Sequence, residues 1–154
     1  MNYDVDIQRE VDNTNLELPS DEDFQHWVTL ALTGRKSRGE ICIRLVEPTE
    51  SQQLNNDYRG KDAPTNVLSF PFDGPEGIPM DLLGDLAICA DIVTKEAQEQ
   101  NKPVRNHWAH MVIHGTLHLI GFDHINDSDA EQMETLEIAL LASINIPDPY
   151  QQGV

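Results

Sequence analysis

Histidine spacing within one apolar segment is the strongest constraint that this sequence places on its own fold. Four histidines recur at intervals of three or four residues, at positions 107, 110, 114 and 118. On an α-helix these side chains lie within an arc of about 80°. Apolar residues such as Trp108 and Val112 occupy another face. We therefore predict a helix over residues 104–120 that packs on the core and carries a stripe of histidines.

The end of this histidine stripe predicts a metal site. His114 and His118 are four residues apart, which places both imidazoles within reach of one ion. His124 would point elsewhere if the helix continued, but Gly121 can end the helix in a left-handed conformation and turn the chain back. Three neutral ligands leave a fourth position open to water, as in catalytic zinc sites. We predict one Zn²⁺ bound by His114, His118 and His124, since surface histidines at chance spacing rarely include such a turned third member.

The same spacing, H-x-x-x-H-x-x-G-x-x-H, is used by metzincin zinc peptidases. Those enzymes place a glutamate general base directly after the first histidine, where this chain has Gly115. A peptidase is therefore disfavoured. His107 and His110 are not part of this pattern. They could orient a metal ligand or relay protons, or they could be surface histidines or histidines whose hydrogen bonds are made within the fold. Asp123, next to His124, is a further candidate for orienting a ligand or accepting a proton.

Charge restricts how this chain could meet nucleic acid. The 154 residues include 27 acidic and 10 basic side chains, a formal net charge of −17. A chain this acidic repels RNA and anionic membranes, so nucleic acid could bind only at a locally positive site. Arg59 and Lys61 are candidates for such a site, because an arginine fork beside an open metal position suits a phosphate. The alternative is that their loop, residues 55–66, is a solvated turn.

Asp85 is a third candidate for proton transfer. In the predicted strand over residues 82–90 it shares a face with Leu83 and Ala87. An acid that faces a core needs a partner, which Arg59 or a zinc-binding imidazole would supply.

The remaining patterns predict one α+β or α/β domain spanning residues 1–154, with a small mixed four-stranded sheet and about five helices. Two long loops are expected at residues 55–65 and 73–81. Pro71 predicts a position near a sheet edge for the third strand, and Ser128 with Glu131 predicts a capping box for the last helix. The ranges of the predicted strands are 3–8, 40–46, 66–72 and 82–90, and the other predicted helices begin after Ser20, at residue 48 and at Asp91.

Cysteine content and the N-terminus indicate a cellular compartment. The chain has only Cys42 and Cys89, both within apolar runs, which predicts two buried thiols rather than a disulfide framework. No basic region followed by an apolar stretch opens the sequence, and no run approaches the ~20 apolar residues that a membrane span needs. We expect a soluble cytoplasmic protein without a membrane partner.

Three segments together resemble the bacterial YbeY endoribonuclease (rRNA maturation factor) family: residues 55–70 (NNDYRGKDAPTNVLSF), 83–85 (LGD) and 114–124 (HGTLHLIGFDH). The resemblance implies an α+β fold, a zinc held by three histidines and single-strand-specific RNA cleavage. It also implies maturation of the 3′ end of 16S rRNA and a role in ribosome quality control. By position, His114, His118 and His124 correspond to the zinc ligands and Arg59 to the functional arginine. The family usually has aspartate where this chain has Asn66.

Two functional hypotheses follow. In the first, a zinc-dependent RNA hydrolase uses zinc, Arg59 and Lys61 as a small cationic pocket, and Asp85, Asp123, His110, a second water or the substrate 2′-OH accepts the proton. A basic ribosomal protein would then help to deliver the RNA. In the second, the chain is a non-catalytic ribosome-assembly adaptor with a structural metal, because an acidic surface suits basic ribosomal proteins better than RNA.

Overall fold

Four strands and five helices form the part of the chain that the structure, a computed structural model, describes: residues 3–11, 16, 18–72, 82–122 and 127–150. None of these helices combines the length and apolar character that crossing a membrane requires. The predicted α+β class with a four-stranded mixed sheet is confirmed. In chain order the elements are β1 Tyr3–Arg9, α1 Asp21–Leu32, β2 Gly39–Val46, α2 Pro48–Arg59, β3 Val67–Pro71, β4 Leu82–Cys89, α3 Ala90–Glu99, α4 Val104–Leu119 and α5 Asp127–Ala142.

The sheet has the strand order β1-β2-β4-β3. β1, β2 and β4 run parallel, and β3 pairs antiparallel with β4 at the edge. Pro71 is the last residue of β3. A proline has no N–H to donate to a sheet ladder, so it is tolerated on an edge strand. The predicted edge position is confirmed.

Helix α4 is the centre of the fold. It packs against α1, α3 and α5 and against strands β3 and β4. A Cβ built at Gly115 would lie 2.9 Å from Cδ2 of Leu86 and 3.3 Å from Cγ2 of Val67, so the α4 backbone approaches the sheet closely there. Apolar residues from both sides of this contact form the core, among them Trp27, Trp108, Val112, Ile113, Leu86 and Ile88.

Two predicted boundaries are wrong by a few residues. Helix α2 extends to Arg59 and ends at Gly60, which has a left-handed φ of 71°. The predicted loop over residues 55–65 therefore begins later, because Gly60 and not the asparagine pair ends the helix. Helix α5 begins at Asp127, so Ser128 lies in its first turn and is not its N-cap. The other predicted loop, residues 73–81, falls outside the described residues.

A β-bulge overturns the expected orientation of Asp85. Glu40 pairs with Leu82 and Ile41 with Gly84, which leaves Leu83 opposite no residue of β2. Leu83 packs against the core, whereas Asp85 is exposed. The prediction that these two side chains share a core-facing side of β4 is wrong, because one extra residue in a strand breaks the alternation.

The two cysteines differ in burial. Cys89 is buried, as predicted, and burial raises the pKa of its thiol. Cys42 is only half-buried. Cys42 on β2 lies opposite the exposed Asp85 on β4. Both side chains are on the face of the sheet away from Leu83. The prediction of two buried thiols is therefore half wrong.

The N-terminus of α1 supports a prediction about stability. Ser20 accepts a hydrogen bond from the Asp23 backbone N–H, and the Asp23 carboxylate accepts one from the Ser20 N–H. We expect Ser20→Ala to lower the free energy of unfolding by about 1 kcal/mol in urea denaturation at pH 7. The exposed Ser37, which lies outside any helix, is the matched control; equal effects of Ser20→Ala and Ser37→Ala would contradict the capping role.

The same cap gives a pH dependence. The hydrogen bond from Arg105 holds the pKa of Asp23 below its usual range, against the opposing effect of burial. A lowered folded-state pKa contributes stability above the ordinary carboxyl pKa, and that contribution is lost as the pH falls through the folded value. We therefore expect Asp23→Asn to flatten the acid limb of the stability curve, measured as the melting temperature against pH. An acid limb unchanged by Asp23→Asn would contradict this assignment.

Candidate functional site

The predicted histidine stripe is present along α4. The ring centroids of His114 and His118 are 4.6 Å apart. His110 lies 6.0 Å from His114, and His107 lies 6.1 Å from His110. The four rings therefore form a continuous row of perpendicular neighbours on one face of the helix, as the spacing predicts.

The first two histidines of the stripe are buried, and the last two line a cavity. His107 and His110 are 4% and 7% exposed. His114 and His118 are half-buried and line a cavity of about 400 Å³. The other lining residues come from the end of α2, from β3 and the two residues before it, and from the turn after α4: Tyr58, Arg59, Thr65, Asn66, Val67, Leu68, Ser69, Pro71, Gly121 and Phe122.

The chain turns sharply at the end of α4, at the edge of this cavity. Gly121 has a left-handed φ of 107°. Its N–H bonds to the carbonyl of His118 at 3.1 Å, and the N–H of Phe122 bonds to the carbonyl of Leu117 at 3.1 Å. These two bonds form a Schellman motif. The predicted left-handed Gly121 is confirmed, while Asp123 and His124, which follow the turn, lie outside the described residues.

A buried carboxylate on α5 contacts two histidines of the stripe, His110 and His114. Glu137 is 0% exposed. One of its oxygens lies 2.6 Å from His114 Nδ1, and the other accepts a hydrogen bond from the Tyr150 hydroxyl at 2.5 Å. Burial raises the pKa of Glu137, but the hydrogen bonds from His110 and His114 outweigh it and hold the pKa at about 2. Glu137 is therefore ionised and keeps a proton on His114 Nδ1.

Sequence reasoning missed Glu137, although a signal was present. Met133, Glu137 and Leu141 are the buried residues of α5. Their spacing of four places them on one stripe of the helix. A charged residue in an otherwise apolar stripe is buried only when it has a partner, so the pattern could have indicated a polar contact inside the fold.

Two sets of residues could hold a metal ion. Ligand atoms of His110, His114 and Glu137 all lie within 4.8 Å of one another. However, His110 Nε2 is 3.2 Å from the Tyr150 hydroxyl and 3.5 Å from Glu137, so these three groups already hydrogen bond together away from the cavity. Burial lowers the pKa of His110, which favours its neutral form.

The geometry of His114 favours a metal on its cavity side. A histidine that donates one ring N–H to a carboxylate presents the other nitrogen to a metal in many zinc sites. Because Nδ1 of His114 contacts Glu137, Nε2 is the nitrogen that could bind the ion. The neighbouring His118 lines the same cavity, so two imidazoles could bind a metal ion there.

Of the two residues predicted to bind phosphate, Arg59 lines the cavity and Lys61 does not. Arg59, the last residue of α2, lines the cavity together with His114 and His118. Lys61 is exposed and is not among the lining residues. Asp85 is exposed on β4 and does not line the cavity either.

Comparison with known proteins identifies the family of this chain. The sequence matches the family model described as Endoribonuclease YbeY over residues 6–145. The chain belongs to the YbeY endoribonuclease family. A solved structure with the same fold is the solution structure of TM1509 from Thermotoga maritima, which is 27% identical, with a TM-score of 0.63 over 91% of this chain and 88% of that one. The family resemblance read from the three sequence segments is confirmed.

Asn66, the asparagine that departs from the pattern expected for the YbeY family, also lines the cavity. The Asn66 side-chain nitrogen lies 3.2 and 3.4 Å from the two carboxylate oxygens of Glu96, and its oxygen accepts from the Val67 N–H at 2.6 Å. Glu96 also lies 2.9 Å from Nε2 of the buried His107. Asn66 is therefore a donor to a carboxylate, and His107 has a structural partner.

Asn66→Asp is expected to lower stability. It would place a second carboxylate against Glu96, and like charges at that distance disfavour ionisation of both. We expect a loss of about 1–3 kcal/mol at pH 7, with part of it recovered at pH 5 as a shared proton binds. Thermal unfolding at the two pH values measures this. Asn56→Asp, the same change at an exposed position on α2, is the control; equal losses in both variants would contradict the contact.

Proposed function

We propose that this protein is a zinc-dependent endoribonuclease that cleaves single-stranded RNA, acting in maturation of the 16S rRNA 3′ end and in ribosome quality control. The observation that carries the proposal is a shared cavity. Arg59 from α2 lines the same cavity as His114 and His118 from α4. Family membership supports an RNA-cleaving activity, and the cavity puts an anion-binding group beside candidate metal ligands.

His114, His118 and His124 would hold the zinc. Bound there, zinc supplies an electrophile for a phosphoryl oxygen and an acidified water. The chain's own contribution is orientation: Glu137 fixes the tautomer of His114, and the Schellman turn at Gly121 ends α4 at the edge of the cavity. The buried His110 and the hydroxyl of the exposed Tyr150 are the other partners of Glu137, and they help to position its carboxylate against His114.

Arg59 would bind the scissile phosphate. Its guanidinium can hold two phosphate oxygens at once, which stabilises charge that develops on phosphorus. Gly60 ends α2 directly after it, which fixes the position of the Arg59 backbone at the cavity. Lys61 lies outside the lining and would contact a neighbouring phosphate of the strand. Asp123, a second water and the substrate 2′-OH are the candidates that we keep for proton acceptor. The buried His110 and the exposed Asp85 do not line the cavity.

The high negative charge of the protein suggests that a partner protein brings the RNA substrate to it. With a net charge of −17, the protein gains little from non-specific phosphate contacts. A basic ribosomal protein that binds the acidic surface would bring rRNA to the cavity. The proposed activity is therefore on the ribosome, in the cytoplasm.

The packing of Gly115 argues against a peptidase. The corresponding metzincin position bears the glutamate base. Here a Cβ would already lie 2.9 Å from Leu86, so the position faces the sheet. We expect no cleavage of casein.

Metal analysis combined with a nuclease assay tests the proposal. The purified protein should contain about one zinc per chain and cleave a labelled single-stranded RNA but not the matching duplex. Chelation should stop cleavage, and added Zn²⁺ should restore it. A non-catalytic adaptor would instead bind its ribosomal partner without cleaving RNA at any metal content, and that result would overturn the proposal.

A further inference from the structure

An exposed aromatic side chain stands at the cavity next to the arginine. Tyr58 is the penultimate residue of α2 and directly precedes Arg59. Its side chain is 61% exposed, the most exposed of the large hydrophobic residues in the described parts of the chain. It lines the cavity together with Arg59, His114 and His118.

Tyr58 makes few contacts with the rest of the described structure. Its ring meets Phe70 of β3 in a perpendicular contact, with centroids 4.6 Å apart and an interplanar angle of 78°. A perpendicular contact covers less of the ring than a parallel stack would. Within the described residues the hydroxyl has no hydrogen-bond partner. The ring is thus held in position by one neighbour while most of its surface stays available to a ligand.

The charge around Arg59 bears on which contacts can contribute to RNA affinity at this site. Residues 57–62 contain two acidic and two basic side chains, so the segment that carries Arg59 has no net charge of its own. The whole chain carries −17. Phosphate contacts therefore contribute little to RNA affinity, whereas stacking of a base on an aromatic ring does not depend on charge.

We propose that Tyr58 is a stacking platform for an unpaired nucleobase, which positions the adjoining phosphate at Arg59. The proposal rests on the proposed nuclease function and deepens it by naming a positioning residue. A base inside a duplex is already stacked on both neighbours, so only an unpaired base can turn onto the Tyr58 ring. Tyr58 thereby accounts for selection of single strands.

Fluorescence of 2-aminopurine tests this directly. The zinc-loaded full chain is mixed with a short single-stranded RNA that carries 2-aminopurine, whose emission falls when the base stacks on an aromatic ring. Wild-type protein and Tyr58→Phe should quench the emission, and Tyr58→Ala and Tyr58→Leu should not. In steady-state cleavage of the same RNA, the alanine and leucine variants should raise KM about 5- to 100-fold, with kcat changed by less than about twofold.

Phe72→Ala is the matched control, since Phe72 is 41% exposed but does not line the cavity. It should quench like wild type, and melting temperatures show that each variant is folded. Quenching and KM unchanged in Tyr58→Ala would overturn the proposal while leaving the nuclease function intact. Retention by Tyr58→Leu, or loss in Tyr58→Phe, would also overturn it, because the ring would then not be the required group. Failure of the wild type to cleave any RNA would instead overturn the nuclease function.

Discussion

Replacing Glu137 with alanine is expected to lower the free energy of unfolding by about 3–5 kcal/mol. Glu137 is fully buried and contacts His114, His110 and Tyr150 at once. Its removal takes a hydrogen-bonding partner from the buried His110, from His114 and from the Tyr150 hydroxyl, and creates a cavity between α4 and α5. Both effects destabilise the folded state. Urea denaturation of the zinc-free protein measures the change without a contribution from metal binding.

Two further variants separate the role of this carboxylate from general damage to α5. Glu137→Gln keeps the volume and an acceptor for Tyr150, so it should lose less stability than Glu137→Ala. It no longer holds the His114 tautomer by charge, and zinc affinity in a competition titration should fall about 10- to 100-fold. Glu131→Ala, at an exposed position of the same helix, should stay within about 0.5 kcal/mol of wild type. Wild-type stability and zinc affinity in both Glu137 variants would contradict the orienting role.

The features that the sequence predicts correctly are those set by neighbouring residues. A histidine stripe needs only the period of a helix, and the turn after α4 needs only a glycine that tolerates a positive φ. The mixed sheet follows from strands and helices interleaved at short distances. Arg59 and Gly60, which ends α2, are adjacent in one short segment, which is part of the family motif.

The features that it does not predict depend on contacts between distant segments. Glu137 meets His114 across 23 positions of sequence. Its role appears only when α5 packs on α4. Strand alternation predicts the wrong side of the sheet for Asp85 because it assumes an unbroken ladder. The bulge at Leu83 depends on how β4 pairs with β2. Local periodicity carries no information about either pairing.

His114→Ala is expected to have the largest effect on activity, a loss of at least about 1000-fold in RNA cleavage with a parallel loss of bound zinc. His114 is where the candidate metal site and the buried network meet, because it lines the cavity and contacts Glu137 through Nδ1. Removal of its ring therefore deletes a proposed zinc ligand and one partner of a buried carboxylate. The variant should also melt at a lower temperature, both from lost zinc and from the unpaired Glu137 oxygen.

His114→Gln keeps the activity test independent of folding. An amide at this position can still donate to Glu137, so the fold should be retained while the imidazole ligand is lost. His26→Ala removes an exposed histidine of α1 that does not line the cavity, and it should cleave RNA like wild type. Zinc content, melting temperature and single-turnover cleavage are measured on the same preparations. A folded His114→Gln protein that cleaves RNA at the wild-type rate would show that the reaction does not use this site, and the cavity between α2 and α4 would lose its proposed role.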